Sequence, residues 1–89
     1  MNLTTAIEIC ASKHASEKAK MRGLKNPFEK FDLRDEWIAK KELEKNNITI
    51  DNMKIYQGDK IIATIEFIWS NLIAKSGYRL PKNFKIIYE

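Results

Sequence analysis

Small and apolar residues early in the chain recur at three- and four-residue steps. Ile7, Cys10, Ala11, His14, Ala15, Ala19 and Met21 share one face, which predicts a helix over 5–22. Thr5 and Glu8 have the spacing of a capping box, and Gly23 followed by Leu24 reads as a left-handed stop. The alanine-rich stripe predicts a closely packed neighbour. Asn26-Pro27 then breaks the helical pattern, and Phe28 and Phe31 read as core plugs from a connector.

Asp32 is placed to cap a second helix over 33–46, with Asp35 and Glu36 in its positive first turn and Lys40, Lys41 and Lys45 towards its negative end. Its apolar stripe of Leu33, Trp37, Ile38, Ala39 and Leu43 is narrow, and Asn46-Asn47 ends it. Farther on, Ile61, Ile62, Ile65, Ile68, Trp69, Leu72 and Ile73 fall on one third of a helical wheel. Phe67, Ala63 and Ala74 lie opposite, and Lys75-Ser76-Gly77-Tyr78 resembles a helix stop. This predicts a central helix over 59–76, capped by Asp59. The alternative is a hairpin over 53–67 turning at Gly58-Asp59. The tail from Phe84 to Tyr88 alternates like a short strand that would pair with Ile48 to Ile50. The expected fold is therefore mainly α: one small helical domain over 1–89, of about three helices with a short C-terminal extended segment. An α+β chain with the hairpin is the alternative.

Length and composition narrow the function. Eighty-nine residues form one modest core, and 44% apolar residues are too many for a disordered tail. The single Cys rules out an internal disulfide, no signal-peptide pattern is present, and the longest apolar stretch is short for a membrane span, so a reducing cytoplasmic setting is expected. Charge is segregated along the chain. Residues 1–27 carry five basic and two acidic groups, residues 28–59 six and eight, and residues 60–89 five and two. The ends are basic and the middle mildly acidic.

Chemistry-bearing patterns are few. Cys10 and His14, four apart with Glu17 following, are the one pair resembling a nucleophile and its base, and they read more simply as packing residues. Asp32, Asp35 and Glu36 read as helix-capping carboxylates, and residues 39–56 mimic a helix-turn-helix only weakly. No phosphate loop, nucleophile elbow or paired-His motif occurs, so the expectation is no enzyme, no cofactor and no metal. Lys18, Lys20, Arg22 and Lys25 surround the end of the first helix, and Lys75, Arg79, Lys82 and Lys85 alternate with Tyr78, Phe84 and Tyr88 in the last segment.

The expected function is a small binding protein that regulates or inhibits a larger protein, of the kind a phage or mobile element directs against a nucleic-acid-handling enzyme. The surface expected to carry it is Lys18, Lys20, Arg22, Lys25, Trp37, Tyr78, Arg79, Lys82 and Tyr88, since Trp, Tyr and Arg dominate interface energetics. The alternative is a basic nucleic-acid-binding module, ranked second because Glu42, Glu44 and Asp51 would repel phosphate wherever they faced it.

Overall fold

The computed structural model describes all residues except Asn26, Lys30, Ala74 and Ser76, and the backbone alone of Leu72. The chain runs α1 (Leu3–Met21), α2 (Leu33–Lys45), β1 (Ile48–Asp51), β2 (Lys54–Gln57), β3 (Lys60–Ile73) and β4 (Arg79–Tyr88). The strands form one antiparallel sheet in the order β1-β2-β3-β4. This is an α+β protein with 38% helix and 37% strand, which overturns the mainly-α expectation and the description of a small helical protein.

The two N-terminal helices form where the local signals place them. α1 starts earlier than the capping box implies, because the Asn2 side chain accepts from the Thr5 N–H at 2.7 Å. Its end is a Schellman motif: Gly23, at φ 109°, donates to the Lys20 carbonyl and Leu24 to that of Ala19. α2 is capped as expected by Asp32, which accepts from the Asp35 N–H at 2.8 Å. It stops at Asn46 and Asn47, the latter in the left-handed region at φ 56°.

The predicted central helix is instead the long strand β3. Ile61, Ile62, Thr64, Ile65, Phe67, Ile68 and Trp69 are β-branched or aromatic, and such side chains lose rotamer freedom in a helix but fit a pleated surface. The residues that looked like two faces of a helix are redistributed by alternation. Ala63, Ile65 and Phe67 join the core beneath the helices, while Thr64, Glu66 and Ile68 lie on the other face. Asp59 is accordingly a turn residue and no helix cap. Gly58, at φ 61°, opens the two-residue turn that the hairpin alternative required. Asn26 of the Asn26-Pro27 break, and Ala74 and Ser76 of the supposed helix end, lie outside the described residues. The tail pairs with β3 rather than with residues 48–50: Ile86 lies opposite Ile65 and Phe84 opposite Phe67.

Both helices lie on one face of the sheet. Ala6, Ala11, Ala15 and Ala19 of α1 are all buried, so the alanine stripe does admit α2, which contributes Ala39 and Leu43. Ile48, Ile55, Ala63 and Ile65 close the core from the sheet. Phe28, in the connector, plugs it as expected, with its ring 5.6 Å from that of Phe84 and 6.4 Å from that of Phe67.

The strands differ in length, and this shapes the molecule. β2 follows β3 only as far as the Lys54–Thr64 pair, where the Ile65 N–H adds a bond to the Met53 carbonyl. Beyond it, residues 66–73 of β3 and 79–85 of β4 continue as a two-stranded ribbon. Pro81 is fully buried opposite Trp69, at one of two irregularities that bend this ribbon.

Candidate functional site

The turn-side half of the ribbon meets the C-terminal end of α1. The Arg22 guanidinium lies 4.8 Å from the centre of the Trp69 ring and 5.3 Å from that of Tyr78, and its Nε donates to the Arg79 carbonyl. Arg79 in turn reaches across the ribbon, its Nε donating to the Ser70 carbonyl at 2.8 Å. The Ser70 hydroxyl donates to the Leu80 carbonyl at 2.7 Å. Trp69 also packs edge-to-face on Phe67, at 5.4 Å. The ribbon is thereby pinned to the helix end through one arginine.

The two basic segments of the chain therefore converge. Residues 18–28 carry Lys18, Lys20, Arg22 and Lys25, residues 67–84 carry Lys75, Arg79 and Lys82, and neither stretch contains an Asp or Glu. Among the described residues these seven cations have no ion-pair partner, as is also true of Arg34, Lys54 and Lys60, whereas Lys13, Lys40, Lys41, Lys45 and Lys85 are paired. Lys85 is matched across the strands by Glu66 at 3.9 Å. The acidic residues that seemed to oppose an anionic partner lie off the ribbon, although Asp51 shares the surroundings of His14 with Lys18. Glu42 and Glu44 are on α2 and Asp51 is on β1, the sheet edge opposite β4.

No family model, curated protein or solved structure matches the chain.

Of the nine residues predicted to form a binding surface, Lys18, Lys20, Arg22, Lys25, Tyr78, Arg79 and Lys82 belong to this end. Trp37 and Tyr88 do not. Trp37 is 63% exposed on α2, beneath the Lys41 ammonium at 5.6 Å. Tyr88 sits at the far end of β4, opposite Ala63, where burial and the Glu8 carboxylate push its phenol pKa up. Trp69 was missed, because the helical reading placed it among the isoleucines of a core face.

Cys10 and His14 line a second feature, an open cleft of about 290 Å³ between α1, α2 and β1. Its floor holds Glu36, buried and bridged to Lys40 at 3.2 Å and to Lys13 at 3.9 Å. Burial pushes the Cys10 thiol up to about 11, so at neutral pH it is not a thiolate. His14 is also engaged, its Nε2 accepting the Met53 N–H at 3.0 Å, which places the ring proton on Nδ1. Met53 and Asn52 form the two-residue turn between β1 and β2, with φ of 63° and 48°. A methionine in that region is strained, and the imidazole is one of the groups that hold it there.

Burial, reinforced by the Lys18 ammonium, holds the His14 pKa below its ordinary value against the pull of Glu17 and Asp51. The unfolded chain therefore takes up this proton more readily than the folded one. Stability from His14 is fully present above the unfolded value of about 6.5 and is lost as pH falls from there towards the folded value. Urea unfolding between about pH 7.5 and 5.5 should show this decline, and His14→Leu, which removes the chain's one histidine, should flatten it. An unchanged slope in the variant would assign the decline to other groups.

Proposed function

We propose that the chain is a non-enzymatic binding protein whose working surface is the basic end formed by α1 and the β3–β4 ribbon, and that its partner is nucleic acid. The observation that carries this is the convergence of seven cations, unpaired among the described residues, on a surface drawn from two stretches without a carboxylate. Lysines and arginines left without local counter-charges attract a polyanion and release its condensed counterions. Of the acidic residues that weigh against a polyanionic partner, Glu42 and Glu44 lie on α2 and Asp51 on β1, off the β3–β4 ribbon, while Asp35 faces Asn83 and Phe84 of β4. The expected inhibitor of a nucleic-acid channel fits less well, since such channels are themselves positively charged.

Fluorescence anisotropy with labelled duplex and single-stranded oligonucleotides tests the proposal. If about five phosphates are neutralised, the logarithm of the affinity falls with a slope of about −4.5 against the logarithm of salt. That amounts to a loss of about 500-fold between about 50 and 200 mM. Absence of binding to every probe at the lower salt, together with nuclease-resistant capture of a stoichiometric protein partner, would replace this reading with the regulator of a larger protein.

A further inference from the structure

Granting that reading, we infer that the nucleic acid is a duplex and that the β3–β4 ribbon is the element laid into its groove. The first ground is what the aromatic side chains are doing. A single strand is held by successive bases stacking on successive free rings. Here Phe28, Phe67 and Phe84 pack on one another, and Trp69 lies between the Phe67 ring and the Arg22 guanidinium. Tyr78, 58% exposed, has Arg22 against its ring. The basic end therefore offers a strand of bases two exposed rings, Trp69 and Tyr78, and Arg22 already lies against both, which leaves too little for a stacking platform.

The second ground is shape. From residue 66 to residue 73 the ribbon is two strands wide, because β2 has ended. Eight residues at about 3.3 Å each span about 25 Å. A two-stranded ribbon fits the major groove, about 12 Å wide. Lys75, Arg79 and Lys82 are exposed along it, with the Asn71 and Asn83 amides also at the surface. Lys20 and Lys25 flank the end of α1, which Arg22 joins to the turn-side half of the ribbon, and they would meet the phosphates that wall the groove. Pro81 and the Ser70, Arg79 and Arg22 hydrogen bonds stiffen the ribbon's turn-side half, so insertion requires little new ordering.

The test compares a duplex of about 20 base pairs with either of its single strands over a salt series from about 50 to 200 mM. The proteins are the wild type, Lys75→Gln/Lys82→Gln in the ribbon, and Lys41→Gln/Lys45→Gln on α2 as a charge-matched control. The duplex should bind at least about tenfold tighter than the strand. The ribbon variant should lose about tenfold in duplex affinity and about 2 units of salt slope, and the α2 variant should match the wild type. Equal or tighter binding of the single strand, or loss shared equally by both variants, overturns the ribbon assignment while nucleic-acid binding stands. No binding of either probe overturns both, and circular dichroism of each variant separates lost contacts from lost fold.

Discussion

Replacing Ile55 with alanine should lower the free energy of unfolding by about 2–5 kcal/mol, read from urea denaturation monitored by circular dichroism. Ile55 is the largest of the fully buried side chains, at 0% exposure. It sits in the middle of β2 and faces the helices, with Ile50 opposite on β1 and Ala63 opposite on β3. Alanine at 63 has no atoms with which to fill the space, and the fully buried alanines of α1 are equally short. The cavity would therefore persist, which is the condition for a cost near the top of that range. A domain of this size has a total stability of about 5–15 kcal/mol, so one such change threatens the fold. A loss under about 1 kcal/mol would mean that the helices do not seal this strand.

The parts of this fold that could be read from sequence are those whose signals are local. Asp32, Gly23 with Leu24, and Asn46-Asn47 each act on the backbone within a few residues, so two helices were placed to within about two residues of their observed ends. The pattern of β3 is ambiguous in principle. Isoleucines at 61, 62, 65 and 68 satisfy a helical period, while Ala63, Ile65 and Phe67 satisfy a strand period that shares Ile65 with it. What decides is tertiary. β2 and β4 supply hydrogen-bond partners on both sides, and β-branched side chains gain by taking them. The partner of the C-terminal strand was illegible for the same reason, since with β3 taken as a helix only residues 48–50 remained to pair with it.

The site was legible as charge and illegible as geometry. Counting lysines and arginines by segment found seven of the residues at the basic end, but no count reveals that residue 22 touches residues 69, 78 and 79. The aromatics were over-read in the same way. Phe84 looks in sequence like a base-stacking ring beside lysines, and in the fold it packs against Phe28 in the core layer. Tyr88 and Trp37 resemble interface residues by type alone, and β4 separates Tyr88 from Arg79 by its whole length.

Arg22 is the residue on which the two basic segments depend, and Arg22→Ala should cost about 2.5–3.5 kcal/mol of stability. Two cation–π contacts contribute about 0.5–1 kcal/mol each at this degree of exposure, and a charged hydrogen bond to the Arg79 carbonyl about 1.5. The same variant should weaken duplex binding by more than the loss of one phosphate contact, because the ribbon is no longer held against α1. Arg22→Lys separates the two effects. It keeps the charge, but an ammonium has neither the plane that spans both rings nor the Nε–H that reaches the carbonyl. If Arg22 acts as an anchor, the lysine variant should recover the salt slope of the wild type but little of its stability, and Trp69 fluorescence, read in a Trp37→Phe background, should shift towards that of an exposed indole in both variants. If lysine restores stability and affinity alike, Arg22 is only one more positive charge, and the ribbon is held by Phe28, Phe67 and Pro81 without it.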